Sequence, residues 1–303
     1  MRRTWDPRQH PRWPGGTGDK SGEFRDAGPA GWVRRAAQQV RQAFTDAELI
    51  ERERHVNDLI EQNRHLDTWR VHRPNGRWTA ERAAQQRALV DQVWARKARR
   101  VPSEHHAIMT GGLMGAGKTT VLNGPAEVDM SQYLTVSADD MKEEMIRRGM
   151  IPSIPGHPEL SPMELSALFH LESAFLADML LERAVTAGKN VIIDASMGDK
   201  QAPVTRVRRL REAGYQVDAI FVDIPVDMSL ERAAARYRYG MREWAQGRGP
   251  GGRTIPPALI HRQRGSGGQT VNRRVYDELA AEGVFDQTET YDNTGDAPRR
   301  SDR

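Results

Sequence analysis

Residues 111–120, GGLMGAGKTT, hold the most specific chemistry in the chain. Gly112, Gly117, Lys118 and Thr119 complete the pattern G-x-x-x-x-G-K-[ST]. In that pattern glycines let backbone N–H groups turn inward and cradle phosphate oxygens. The candidate phosphate surface is therefore Gly112, Leu113, Met114, Gly115, Ala116, Gly117, Lys118, Thr119 and Thr120. Lys118 would reach the outer phosphates of a nucleotide, and the Thr119 hydroxyl is the candidate Mg²⁺ ligand. A chance glycine-rich turn is the alternative. The context opposes it, because a short buried strand is expected over 105–109 before the loop and a helical stretch over 118–122 follows.

Transfer of a phosphoryl group needs positioning and charge neutralisation more than covalent chemistry. Two carboxylates follow apolar runs: Asp139, after YLTV, and Asp194, which closes VIID in the manner of a Walker B strand. Each could equally be a turn or helix-cap residue. Cations on the transferring group would come from Arg236 and from an Arg/Gly-rich, lid-like stretch over 242–253, since Arg can fork onto phosphate oxygens. With 39 arginines in the chain, most of those near a loop are surface residues. Met141, Met145 and Met150 read as core filler. His105 and His106 have no companions at metal-ligand spacing.

The elements around these residues alternate. Strands are expected over 133–136, 190–194, 217–224 and 285–291, with helices over 141–148, 161–187, 201–213 and 225–244, and others opening at Pro256 and Val271. Alternation of this kind specifies a parallel α/β sheet whose ligands sit at the carboxyl ends of the strands. Ahead of the sheet, a helix over 32–44 is followed by one capped by Thr45 with Glu48 three residues on, a capping box. It carries Leu49, Val56, Leu59, Ile60 and Leu66 at helical spacing, and a third helix spans 78–98. The expected organisation is a disordered or loosely docked tail over 1–29, a helical extension over 30–100, the sheet domain over 101–295 and a flexible tail over 296–303.

Composition narrows the classes. A chain of 303 residues without cysteine has no disulfide scaffold and no thiolate site. No apolar run approaches a membrane span, and MRRTWDPRQHP lacks a signal-peptide core, so a cytoplasmic protein is expected. The basic excess lies at the front, with 21 Lys+Arg against 14 Asp+Glu up to His106. Acidic residues are interleaved there and only six of the 45 basic residues are lysine, so a solvated face is favoured over a nucleic-acid surface.

From Trp78 onward the segments RWTAERAAQ, GGLMGAGKTTVL, SQYLTVSADDMKEEM, AGKNVIIDASM, VDAIFVDIPV, RTIPPALI and VNRRVYDELAAEGVFD resemble the zeta toxin family of P-loop kinases, its actinobacterial branch in particular. The resemblance spans about two thirds of the chain, with the motifs in family order. It implies an α/β, adenylate-kinase-like parallel sheet flanked by helices, here with an N-terminal helical extension. It also implies phosphorylation dependent on ATP and Mg²⁺. The acceptor in that family is a sugar hydroxyl of UDP-N-acetylglucosamine, and a helical antitoxin blocks the nucleotide site. By position, Asp139 matches the catalytic base, Lys118 and Thr119 the phosphate and metal contacts, and Arg236 and Arg253 the phosphate arginines. Asp178, Asp194 and Ser196 match acceptor contacts, with Asp178 and Asp194 each a methylene shorter than the family's Glu. The first thirty residues resemble short tags on phage-encoded proteins, which would fit a phage or prophage origin.

Two other readings stay open. A kinase acting on another acceptor (a nucleotide, a drug-like alcohol or a polynucleotide 5′-hydroxyl) is motivated by the two shorter acids. An ATP-gated interaction or nucleic-acid-binding protein would instead use the basic helical front. Residues 30–100 could also act as a built-in restraint on the nucleotide site, or as a plain helical brace.

Overall fold

The computed structural model describes residues 44–301. The expected tail over 1–29 and the helix over 32–44, apart from Phe44, lie outside the described residues. Two compact units divide the chain. Unit 1 comprises 44–89, Ala138–Leu176 and Ala234–Pro256; unit 2 comprises Val90–Ser137, Ala177–Ala233 and 257–301. The division does not follow a simple front and back of the sequence.

Unit 2 holds the sheet. Its strands are β1 (His106–Gly111), β2 (Leu134–Val136), β3 (Val191–Asp194), β4 (Gln216–Asp223), β5 (Thr288–Asp292) and β6 (Arg299–Arg300), in the order β2-β3-β1-β4-β5-β6. β1 pairs in parallel with β3 on one side and β4 on the other. Ala107, Ile108 and Met109 of β1 and Val191, Ile192 and Ile193 of β3 are all buried, as continuous apolar runs in a parallel sheet require. Only β6 runs antiparallel, pairing Asp292 with Arg299 at the edge, in a stretch with no strand signal in the sequence. Strand order reverses at β1, so the loop leaving its carboxyl end opens at a topological switch point. Phe221 of β4 stacks on Tyr276 at 4.8 Å and anchors the helix Val271–Ala281.

The α-helices longer than the single turn Thr68–Val71 are α1 (Asp46–Gln62), α2 (Ala80–Lys97), α3 (Lys118–Asn123), α4 (Ala138–Arg147), α5 (His170–Thr186), α6 (Gln201–Glu212), α7 (Val226–Ala245), α8 (Pro257–His261) and α9 (Val271–Ala281). α1 starts as its capping box predicts: Glu48 N–H donates to Thr45 Oγ1 and Thr45 N–H to Glu48 Oε2. Leu49 of α1 joins Tyr237, Met241 and Trp244 of α7 in a buried cluster of unit 1. Arg82 of α2 forks onto Glu172 of α5 at 2.7 and 2.8 Å, both side chains buried.

Two expectations change. The helix predicted from 141 begins at Ala138, which moves Asp139 from a strand-end loop into a first helical turn. Acidic Asp139 and Asp140 there suit the positive end of the helix dipole. The long helix predicted from Ser161 is broken. Its capping box forms, with Ser161 N–H donating to Glu164 Oε2 at 2.7 Å, but only a 3-10 segment, Glu164–Leu168, follows. Phe169 then leaves helical geometry and α5 begins at His170. Nearly every side chain over 160–169 is buried, so packing overrides the cap.

Candidate active site

The phosphate loop of unit 2 is held from outside by three side chains. Ser229 Oγ donates to the carbonyl of Met114 at 2.6 Å, Arg232 Nη1 to that of Gly115 at 3.2 Å, and Asn293 Nδ2 to that of Ala116 at 2.7 Å. Arg232 Nη2 also holds the Asn293 carbonyl at 2.8 Å, so the three form one clasp. With successive carbonyls bound outward, the loop's peptide planes are fixed in the sense that anion binding needs. Gly112, Gly115 and Gly117 all have positive φ, at 126, 75 and 86°. At Gly112 a Cβ would also overlap the Val222 carbonyl oxygen, so only glycine fits. α3 starts at Lys118 directly behind the loop.

Lys118 Nζ lies 3.4 Å from Asp194 Oδ1 at the end of β3, and Thr110 Oγ1 donates to the same carboxylate at 3.3 Å. The Ser196 carbonyl accepts from Gly112 N–H at 3.4 Å and from Asn272 Nδ2 at 2.6 Å, tying the segment after β3 to the loop and to α9. The structure thus brings Lys118, Asp194 and Ser196 to the carboxyl end of the sheet. Asp178, on α5, is exposed and paired with Arg206 of α6 at 3.2 Å. A cavity of about 160 Å³ beside Ser196 is lined by Met109, Met197, Gly198, Pro203 and Arg206, among others. Oxygen donors suit Mg²⁺, and the Thr119 hydroxyl with the half-exposed Asp194 carboxylate are the unit 2 groups that fit it.

Unit 1 holds the second cluster. Arg253 Nη1 is 2.6 Å from both oxygens of Asp139, and Lys142, one turn along α4, donates to Asp139 Oδ1 at 2.7 Å. Burial alone would push the Asp139 carboxyl up. The charges of Arg253, Lys142 and Arg236 outweigh it and hold the group far below the usual carboxylate range. His170, at the start of α5, feels desolvation first and then the Lys142 and Arg253 charges, which bring its imidazole down to about 4.

The lid reading of 242–253 is narrowed. Arg242 lies on α7 and pairs with Asp46, while Arg248 pairs with Glu243, both in exposed positions. Among the arginines of that stretch these pairs leave Arg253 as the one on Asp139. Ser229, Arg232, Asn293, Lys142 and His170 are not among the candidate site residues picked out from the sequence. Only Lys142 left a signal, its i+3 spacing from Asp139 on one helix face. His106, unassigned from sequence, bonds Tyr133 and Asp218 at 2.7 and 2.8 Å.

The family model described as zeta toxin matches residues 90–297. No curated protein matches the chain. Among solved structures, a chain from the PezAT chromosomal toxin–antitoxin system of Streptococcus pneumoniae is similar at 15% identity, TM-score 0.48, over 72% of this chain and 80% of its own. The AvrRxo1-ORF1:AvrRxo1-ORF2 complex with sulphate ions is similar at 17% identity, TM-score 0.53, over 77% of this chain and 70% of that one. A further structure of that complex contains ATP and matches at 17% identity, TM-score 0.49, over 74% and 68%. At these identities the likeness is one of fold. Among the described residues no helix is long and apolar enough to cross a membrane, and no group of three or more His, Asp or Glu could hold a metal by itself.

Proposed function

Since the chain belongs to the zeta toxin family of P-loop kinases, we propose that it transfers the terminal phosphoryl group of ATP to a sugar hydroxyl of UDP-N-acetylglucosamine. The observation that carries the kinase reading is the clasped loop, whose outward carbonyls are each occupied by Ser229, Arg232 or Asn293. In this reading the inward amides and Lys118 hold the phosphates. Thr119 is the residue that would hold Mg²⁺, which when bound would neutralise charge on the phosphate oxygens. Asp139 orients the acceptor hydroxyl and takes its proton, and Arg253 and Arg236 stabilise charge on the transferring group. An ionised Asp139 is a weak base, which suits a loose transition state in which the proton leaves the nucleophile late.

Asp194 and Ser196 are the proposed acceptor contacts. Asp178 fits that role less well, since it is engaged by Arg206. That engagement, with the shorter acids at 178 and 194, favours a second reading in which the acceptor is another alcohol. Mass spectrometry of nucleotide sugars after incubation with ATP and Mg²⁺ decides. A phosphorylated UDP-N-acetylglucosamine is expected, and turnover of a different acceptor alone would overturn the assignment. A basic front acting on nucleic acid would give strongly salt-dependent binding to DNA or RNA, which this reading does not expect.

The family reading calls for a helical antitoxin as partner. Restraint by residues 30–100 fits less well, because Arg52 of α1 spends its guanidinium on Glu164 within unit 1. A cytoplasmic, phage- or prophage-encoded toxin remains the setting proposed from the sequence.

A further inference from the structure

Arg253 reaches Asp139 from a stretch without secondary structure, and that stretch sits in a seat with no spare room. The Pro250 carbonyl accepts from Met163 N–H at 2.9 Å. A Cβ on Gly251 would overlap the Ser161 side chain, and one on Gly252 would overlap the Tyr237 carbonyl oxygen. Gly252 N–H meets the Met241 sulfur at 3.3 Å. Main-chain contacts this close leave residues 250–252 little freedom while the seat itself stays fixed.

One buried carboxylate ties that seat together. Glu164 accepts from Ser161 N–H at 2.7 Å and from the Tyr237 hydroxyl at 2.9 Å. Arg52 Nε and Nη2 fork onto its two oxygens at 2.7 and 2.9 Å, and Nη2 also holds the Glu159 carbonyl at 2.8 Å. Burial, and then the neighbouring Glu164 charge, push the Tyr237 hydroxyl far up, so it remains a donor. Glu164 is completely buried, and Arg52 neutralises it from a helix that none of the proposed chemistry uses. Leu49, one turn earlier on α1, packs on Tyr237 and Met241, the same side chains that floor the seat.

We propose that Arg52 is a positioning residue for phosphoryl transfer, setting Arg253 against Asp139 through Glu164, Tyr237 and the 250–252 stretch. This deepens the kinase reading and rests on it for its catalytic consequence. α1 is then a brace, and its loss lowers turnover.

The test uses the full chain with Arg52→Met, Arg52→Lys, Tyr237→Phe, Arg253→Met and the Arg52→Met/Arg253→Met pair. Turnover is measured with ATP and UDP-N-acetylglucosamine, and the Asp139 carboxyl is titrated by ¹³C NMR, assigned with Asp139→Asn. Arg52→Met should lower kcat by about 100-fold and Tyr237→Phe by about tenfold, with KM for ATP nearly unchanged. Arg52→Lys should recover part of the loss, because the charge returns without the fork. The pair should be no slower than Arg253→Met alone. The Asp139 midpoint should rise in Arg52→Met and Tyr237→Phe toward its value in Arg253→Met. Folded variants with the wild-type midpoint, or a pair whose losses multiply, would overturn the inference. Tyr237→Phe, which removes one hydroxyl, carries the test if Arg52→Met does not fold. Full turnover in Arg253→Met would instead sink the catalytic reading, and absent turnover on this acceptor leaves the titration to decide the linkage.

Discussion

Arg253 Nη1 lies 2.6 Å from each carboxylate oxygen of Asp139, 114 positions earlier in the chain. One nitrogen bridging both oxygens, with Lys142 on one of them, keeps this carboxylate ionised without neutralising it by protonation. Asp139→Asn keeps the shape and removes the charge. Phosphoryl transfer should fall by about 100-fold or more while ATP affinity stays within a few-fold, since a base contributes to the chemical step. Single-turnover kinetics beside calorimetric ATP binding separate the two, and wild-type turnover in the variant would remove Asp139 from the mechanism.

The clasp makes a prediction about binding. Asn293→Ala removes the donor on the Ala116 carbonyl and leaves that group buried and unpaired. ATP affinity should drop by roughly tenfold, the equivalent of one lost hydrogen bond of about 1.4 kcal/mol. Isothermal titration calorimetry reads this directly. Gly112→Ala should do worse, because the added methyl meets the Val222 carbonyl at a φ of 126°, and no detectable ATP binding is expected.

Burial sorts the ion pairs. Arg82→Met strands Glu172, whose side chain is fully buried, and should cost about 3–5 kcal/mol of unfolding free energy. Arg54→Met breaks a pair with Glu51 in which both side chains are about 70% exposed, and should change stability by less than about 0.5 kcal/mol. Urea melts of the two variants give the comparison. Equal effects would show that the α2–α5 pair does not brace unit 1.

His170 and Asp139 both make the fold less stable on acidification, in separate windows. The folded His170 imidazole titrates at about 4, whereas an unfolded histidine titrates near ~6.5. Between those values the unfolded chain binds a proton that the folded chain refuses, so stability falls as pH drops through that window. Asp139 is depressed, so its contribution is present above about pH 4 and is lost only below it. Thermal melts from pH 7 to 4 should show a loss that His170→Asn reduces, and an unchanged slope in that variant would reject the assignment.

Much of the architecture was readable because it is local. Apolar runs of strand length at Ala107–Met109 and Val191–Ile193 leave burial in a parallel sheet as their stable solution. The Thr45/Glu48 box needed no distant partner to form. Ser161 and Glu164 carried the same signal and formed the same bonds, yet the helix stopped. There Arg52 and Tyr237 claim the Glu164 carboxylate and Pro250 claims the Met163 amide, contacts that no window of sequence contains.

The sequence by itself determined the phosphate loop, because its glycines, lysine and threonine act at fixed spacing along ten consecutive residues, and it determined the strand–helix alternation that makes the sheet parallel. Only the tertiary structure decided what holds that loop's carbonyls, which arginine of a crowded stretch meets Asp139, and that Asp178 is spent on Arg206. The reason is one of range. Backbone conformation and hydrophobic periodicity are written into neighbouring residues, whereas a side-chain charge finds its partner by where the folded chain returns, and with 39 arginines in 303 residues that choice has no local signature.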